Sequence, residues 1–578
     1  MTMRLCGGAA ILMAFCGSVF GGGPAVTYRV VAKTGDAAPT GGAFTAFGFP
    51  RMNEQGEVAF AADTNAVIFS SGIWSEGVGG PGNLALVVRE GTAVPGSGNT
   101  LFMGDFSELG FSYFYPEIND EGNVAFSYRL IGTGAGPDDV GIGRRVDGVL
   151  QHVARPLQLA PGLGGASFAH VSNLFSYSDN DEVALVIRLT GAGVNDTNNE
   201  TIWRSNANGS FTLVMREGAA VPGQPGTTYS GTSFVFPLVN DVGEVSFGTY
   251  LNVGGDFRWS VLRGAPGAPV LLAQEGMQTP LGPGTSYEGG LIGFTRHMIN
   301  NGNDALFPQS ALVGGQSRSG LWRVLNGQAQ AVAVVGQPSP IGSVYSFVDS
   351  FAGALGKDGR VVYTASVTPA GSITNDNNSA VWVRQANGST QLIAREGSPA
   401  AGLFFGETYS TFSSSHTIND RGQVLFPGTI QGPGVNAGND QCLWGTRLIS
   451  GPTLIMREGS LFEVAPGVFK IVSHFSVSPG FGSESGDRPG FNRLGQAVIR
   501  VAFTDNSIAI VVATLQDECF GDIDGDFDID FADLNILLSF FNTQVGTGLN
   551  GDLDLDGDVD FADLNLLLGV YNTNCLPL

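Results

Sequence analysis

The chain has 578 residues, more than one ordinary hydrophobic core organises, so several domains or one large repetitive domain are expected. Charged residues make up only 14% and glycines number 86, a composition that suggests many short strands and tight turns. The formal charge of −24 makes nucleic acid and anionic membrane surfaces poor partners.

Residues 1–25, "MTMRLCGGAAILMAFCGSVFGGGPA", hold one arginine, an apolar run and then small residues, the layout of a secretory signal peptide. The apolar core is too short to span a bilayer, and nothing later approaches the ~20 continuous apolar residues of a membrane helix. Export to the cell surface or beyond, with cleavage near 21–25 and no transmembrane segment, is expected. Phe15 in front of Cys16 fits a lipoprotein processing signal poorly. After cleavage, Cys442, Cys519 and Cys575 remain.

From 26 to 516 the chain rewrites one unit eight times. One motif reads "LVVREGTAVPG" (86–96), "LVMREGAAVPG" (213–223), "LIAREGSPAAG" (392–402) and "LIMREGSLFEVAPG" (454–467), with weaker relatives at 29–39, 152–162, 271–282 and 332–342. The other reads "NEQGEVAF" (53–60), "NDEGNVAF" (119–126), "NDVGEVSF" (240–247) and "NDRGQVLF" (419–426), with divergent versions at 178–185, 300–307, 356–363 and 492–499. A short apolar stretch follows that holds Trp74, Trp203, Trp259, Trp322, Trp382 or Trp444, and all six tryptophans are expected in one structural slot.

"LVVREG" is a short β-branched run ended by glycine, and the PG after it marks a turn. In "NDEGNVAF", Asn119 and Asp120 can bond their own turn, and Gly122 supplies a positive φ before Val124 and Phe126 re-enter a strand on one face. Where that glycine is missing stand Asp181 and Asn303, types that tolerate the left-handed region. From Gly56 to Gly495 the turns recur at about sixty residues, enough for four short strands with loops. A unit this small cannot bury both sheet faces alone, so it must stack on its neighbours. The expected fold is mainly β, a β-propeller of eight blades, or seven if one copy does not close. The first strand, "YRVVAKTGD", and the last, "SIAIVVATL", are candidates for a shared blade. The N-x-x-G-x-x-A-F signature, as in Asn53-Gly56-Ala59-Phe60, resembles a tandem-repeat family of exported bacterial proteins that carry varied C-terminal anchors.

Residues present in every copy serve the copy, so Glu90, Glu217, Glu396 and Glu458 read as structural partners of Arg89, Arg216, Arg395 and Arg457 or of adjacent blades. Among the five histidines, His297 and His416 share a slot and read as satisfied loop residues. No H-E-x-x-H, G-x-S-x-G or P-loop occurs in the body. Cys442, beside Leu443 and Trp444, reads as a small buried hydrophobe.

The tail, 517–578, holds fourteen acids and no Lys, Arg or His. In "GDLDLDGDVDFADLNLLLGVYN" (551–572), Asp552, Asp554, Asp556, Asp558, Asp560 and Asp563 match positions 1, 3, 5, 7, 9 and 12 of a calcium loop, with Gly557 at position 6. In "GDIDGDFDIDFADLNILLSFFN" (521–542), Asp522, Asp524, Asp526, Asp528, Asp530 and Asp533 repeat the pattern, but Phe527 occupies position 6, which predicts a weaker or distorted first site. Two Ca2+ sites are therefore expected. Leu534, Leu537, Leu538 and Phe541, and Leu564, Leu567, Leu568 and Tyr571, follow helical spacing after each loop. Cys519 and Cys575 bracket the module, either as a disulfide clasp or as two thiols.

The doubled D-x-D-x-D…D-F-A-D-L pattern resembles a type I dockerin. That resemblance implies a calcium-folded all-α module and a cohesin-like partner that meets Phe531, Ala532, Phe561 and Ala562. Dockerins of cellulosomes carry small hydroxyl residues at those positions, so a cell-surface anchoring partner is an equal expectation. The whole chain reads as a secreted or cell-surface binding or scaffold protein, with a glycan or protein ligand on the propeller. The alternative is a carbohydrate-active enzyme, which would place a pair of non-repeating carboxylates across one cavity.

Overall fold

The structure is a computed structural model that describes residues 25–574 apart from 40, 69, 96–99, 103–115, 132–139, 232–235, 290–296, 448–450, 479, 481–483, 485, 516–520, 525–527, 546–549 and 554–557. Residues 1–24, the expected leader, and 575–578 lie outside that description. Two compact units result: a large one of 28–446 with 451–514, and a small one that holds 515–578. Among the described residues no helix is long and apolar enough to cross a membrane.

The large unit is built of eight antiparallel sheet modules: 44–89, 100–154, 166–216, 227–274, 285–334, 345–395, 408–457, and 461–515 completed by Val26–Lys33. In module 5 the first strand, Thr285–Tyr287, pairs with Ala311–Val313 in a separate three-stranded sheet; the other seven follow one plan. A first strand pairs with the strand that leaves the Asn turn, that strand pairs with the next, and the "REG" strand closes the edge. In module 8 the edge strand comes from the other end of the chain: Val26–Lys33 pairs with Ile508–Leu515, the union expected of the terminal strands.

The core lies between sheets. Ala59, Ala61 and Ile73 of module 1 pack with Phe126 and Tyr128 of module 2, and Val498, Ile510 and Val512 of module 8 pack with Phe60 and Trp74 of module 1. Five tryptophans share the slot opposite the turn motif's aromatic or aliphatic residue, as Trp74 does opposite Phe60 and Trp444 opposite Phe426. The sixth departs from expectation. Trp259 pairs with Tyr250, and Leu262 takes the place opposite Phe247, because a strand of nine residues on each side moves the tryptophan three positions along.

The turn expectation holds at every copy. Gly56, Gly122, Asp181, Gly243, Asn303, Gly359, Gly422 and Gly495 all have positive φ, from 58° at Asp181 to 83° at Gly422. Each turn also reaches its neighbour. Asn53 takes its own turn's amides on Oδ1, from Gln55 and Glu57, while its Nδ2 donates to the Asn119 carbonyl of module 2 at 2.9 Å. The same amide donation runs from Asn119 to Asp179, Asn240 to Asn300, Asn300 to Lys357, Asn419 to Asn492, and Asn492 back to Asn53. Modules 3 and 6 carry Ser178 and Gly356 in that slot, and there Asp179 N donates to Asp241 Oδ1 at 2.7 Å and Lys357 stands 3.9 Å from Asp420. The eight turns thus form a closed circuit.

Candidate functional site

In the small unit, α1 (Phe531–Ser539) and α2 (Phe561–Val570) each start from an acidic loop. Asp530 and Asp560 are N-caps whose side chains accept from Ala532 N and Ala562 N at 2.6 Å. Asp533 and Asp563 complete the capping boxes three residues later. Asp533 does more than cap: Oδ1 accepts from Asp524 N at 3.1 Å and from Ile523 N, and Oδ2 from Asp530 N at 2.8 Å. Asp563 repeats this with Leu553 N at 2.6 Å and Asp560 N at 2.7 Å. One carboxylate therefore ties the start of each loop to its end.

The two halves also brace each other. Asp528–Ile529 pairs with Thr573–Asn574, and Thr543–Gln544 with Asp558–Val559, so each loop's short strand lies against the segment that follows the other helix. The core between them is Ile529, Leu537, Val559 and Leu567. The helix faces differ from the spacing expectation. Leu538 and Leu568 are 48% and 51% exposed, because the buried aspartate and the leucine four residues on, Asp533 with Leu537 and Asp563 with Leu567, set the inward face. Phe531 and Phe561 point outward at 63% and 68% exposure, Ala532 is half-buried and Ala562 is exposed.

Asp522, Asp524 and Asp533, positions 1, 3 and 12 of the first loop, bring ligand oxygens within 4.8 Å of one another. Asp528, Asp530 and Asp533 do so as well, and in the second loop Asp558, Asp560 and Asp563. Asp533 and Asp563 are fully buried and Asp552 nearly so. Three buried carboxylates stand in a segment without a Lys, Arg or His, and a carboxylate can take up to about four partners, so the oxygen-only donor set fits a hard cation such as Ca2+. Asp526, Asp554, Asp556, Phe527, Gly557, Cys519 and Cys575 lie outside the described residues.

The large unit places its non-repeating charges elsewhere, around the connection 478–495 of module 8. Arg488, 4% exposed, pairs with Asp120 at 3.1 Å and with Asp179. Arg51 joins Asp487 at 2.7 Å and Glu117 at 2.8 Å, and Glu484 accepts from Asn301 N at 2.7 Å and pairs with Lys357 at 3.4 Å. Gly486 accepts from Tyr177 N at 2.6 Å, and a Cβ on it would stand 2.6 Å from the Val239 carbonyl. Glu484, Gly486, Asp487 and Arg488 between them thus reach residues of six other modules. Burial opposes the charge of Arg488, and Asp179, Asp120, Asp241 and Glu54 outweigh it. Burial raises Glu117 against the pull of Arg51, and pushes Glu54 up to about 7 despite the amide of Arg493 that it accepts at 2.6 Å.

The acids of the turn motif are linkers. Asp120 Oδ1 accepts from Glu54 N, Asp179 Oδ1 from Asp120 N, and Asp241 Oδ1 from Asp179 N, each in the preceding module. The "REG" residues are structural, as expected, through backbone partners: Glu217 accepts from Glu200 N and Glu396 from Ser379 N, while Arg216, Arg395 and Arg457 donate to Asn198, Asn377 and Asn439 carbonyls. Sequence reasoning missed the buried Arg144 and Arg323 and the half-buried Arg204, whose guanidinium groups donate to the carbonyl of the next module's positive-φ residue. The Trp-Arg pairs at 203–204 and 322–323 were the available signal. His297 and His416 are buried and bonded to Ser246 O and Ser413 O, in different modules. Cys442 is fully buried, its thiol pushed up to about 12 by burial.

Comparison with known proteins gives one family. The model of DUF7453, a family of unknown function, matches residues 17–258 and again 225–516. No curated protein matches. Solved structures with a similar course include the polysaccharide lyase Uly1 (9% identity, 68% of this chain and 88% of that chain, TM-score 0.32). An α-L-arabinanase of Penicillium chrysogenum is similar at 10% identity over 62% of this chain and 98% of that one, TM-score 0.25. A post-proline cleaving enzyme of Rickettsia typhi is similar at 8% identity over 83% and 59%, TM-score 0.35. Likenesses at that level carry no chemistry over.

Proposed function

The chain belongs to the DUF7453 family, whose function is unknown, and from that premise we propose an exported binding or scaffold protein: a closed eight-bladed β-propeller attached to a partner through a calcium-dependent, dockerin-like tail. The observation that carries the attachment is the set of buried aspartates, Asp533, Asp552 and Asp563, in a tail with no cationic side chain. Asp522, Asp524, Asp528, Asp530, Asp558 and Asp560 would complete two Ca2+ sites together with the acids outside the described residues. When bound, Ca2+ supplies the positive charge that the segment lacks; the chain's own part is to hold the loops closed through Asp533 and Asp563. Phe531 and Phe561, exposed at the first position of each helix, offer the surface for a cohesin-like or cell-surface partner.

The circuit of turns and the shared terminal sheet support the eight-bladed reading. Binding is favoured over catalysis because the described non-repeating acids around the 478–495 connection, Glu117, Asp487 and Glu484, are held in ion pairs. The test is calorimetry of the full chain with Ca2+ and with a chelator. Two transitions are expected, one of which moves to higher temperature with Ca2+; a saturating ligand at about 100 times its Kd stabilises by about 2.7 kcal/mol. Superimposable traces with and without Ca2+ would sink the attachment reading.

A further inference from the structure

Modules 7 and 8 meet around a cavity of about 260 Å³. One wall is a row in register across three neighbouring strands, Thr411 opposite Thr429 and Thr429 opposite Gln441, so the three share a sheet face. Thr411 Oγ1 and Thr429 Oγ1 bond each other at 2.7 Å, and Gln441 Nε2 crosses to the Phe475 carbonyl of module 8 at 3.3 Å. Exposed His474 stands at the cavity with Ser415, half-buried Phe412 supplies apolar surface, and Pro427 and Phe475 are buried. Among the described residues no Asp, Glu, Lys or Arg lines it.

The module does not require this row. At the same register, module 1 has Asp63 opposite Ser71, module 3 has Arg188 opposite Glu200, and module 4 has Tyr250 opposite Trp259. Two hydroxyls and an amide beside the half-buried Phe412 ring are therefore particular to this place, which is what a ligand site needs and a structural repeat does not.

We propose that this cavity binds a neutral carbohydrate, roughly one or two sugar rings of a glycan. Hydroxyl and amide groups exchange hydrogen bonds with sugar hydroxyls, and the apolar side of the cavity takes the C–H face of the ring. A charged ligand would lose water there without a counter-charge, which disfavours uronates and phosphosugars. The proposal rests on the reading of the body as a binding propeller and names its ligand class.

The experiment titrates the full chain, with Ca2+ present, against lactose, cellobiose, maltose and arabinobiose, with digalacturonic acid as the charged control. Gln441→Leu and Thr429→Val are compared with the unchanged chain, and melting temperature is measured for each. At least one neutral disaccharide is expected to bind, at least tenfold more weakly to either variant, and the uronate not at all. If a variant melts early, exposed His474→Ala takes its place in the comparison. Equal affinity in all variants overturns this site while leaving a glycan-binding propeller; binding of the uronate alone overturns the neutral class. No binding by any sugar, with the Ca2+ response intact, overturns the cavity proposal and leaves the attachment reading standing.

Discussion

The two units use the same device, an Asn- or Asp-rich turn repeated at fixed spacing, to opposite ends. In the large unit, the aspartates of successive turns face amides: Asp120, Asp179 and Asp241 each accept an N–H of the preceding module, and Arg488 neutralises the two nearest. In the tail, the aspartates face one another, with carboxylate oxygens gathered within 4.8 Å and no cationic side chain in the segment. A turn acid is thus a linker between modules where a neighbouring module supplies the amide, whereas in the tail Asp533 and Asp563 take amides of their own loop and gather beside other acids. The residue type does not decide the role; what the fold brings opposite it does.

The largest effect should come from breaking the tail side of this contrast. Asp533→Ala with Asp563→Ala removes the carboxylates that tie both loops, together with their share of the proposed cation sites. The Ca2+-sensitive transition and the tail's helical circular dichroism signal are expected to vanish while the large unit's transition stays in place. A tail that still answers to Ca2+ would mean that these aspartates only cap helices.

The counterpart in the large unit is Arg488→Met. It leaves Asp120 and Asp179 without their guanidinium, a loss of about 3–5 kcal/mol for a buried pair, read as a lower melting temperature of the large unit alone. Arg488→Met combined with Asp179→Asn should recover part of it. If the single change costs nothing, the 478–495 connection is held by packing rather than by charge.

Glu54 sharpens the comparison by pH. Its folded pKa, near 7, lies above the ordinary 4.5, with burial the main cause. The folded state then holds the proton that the unfolded state has released, so this group's contribution falls as pH rises from about 4.5 to about 7, by up to about 3 kcal/mol. Glu54→Gln can still accept the Arg493 amide and does not titrate. The difference in stability between the two proteins should therefore grow in favour of Glu54→Gln across that window and stay flat above it. Parallel pH profiles would show that Glu54 is solvated.

Much of this was legible in the sequence because it is local. Positive φ at Asp181 and Asn303 follows from which side chains tolerate it, and the shared last sheet follows from matching strands at the two ends. The acid spacing gave the two loops for the same reason. What escaped is what two distant segments do together. The within-turn role of Asn53 is visible in its own heptad of residues, but its Nδ2 bond to Asn119 requires the neighbouring module to be in place. The roles of Glu484, Asp487 and Arg488 are equally invisible in sequence, because their partners Lys357, Arg51, Asp120 and Asp179 belong to other modules. The displacement of Trp259 and the outward Leu538 escaped for separate reasons: Leu262 takes the place opposite Phe247, and a buried aspartate, Asp533, shares the inward helix face with Leu537.

The smallest expected effect separates conformation from space at the turn residue itself. Asn303 is exposed and sits at φ 67°, so Asn303→Gly relieves about 1 kcal/mol of left-handed strain and returns a similar amount as greater freedom of the unfolded chain. The net change should lie within about 0.5 kcal/mol. The reverse exchange, Gly122→Asn, meets the same φ requirement but not the same room: a Cβ there would stand 2.2 Å from the Gly77 carbonyl, which is backbone of module 1 and cannot swing aside. At Gly243 the nearest atom is the mobile end of Arg204, so Gly243→Asn should cost less than Gly122→Asn. If denaturant unfolding ranks the costs as Gly122 above Gly243 above Asn303, the glycines are kept for contact between modules as well as for the turn. Equal costs at Gly122 and Gly243 would reduce the slot to its dihedral angle alone.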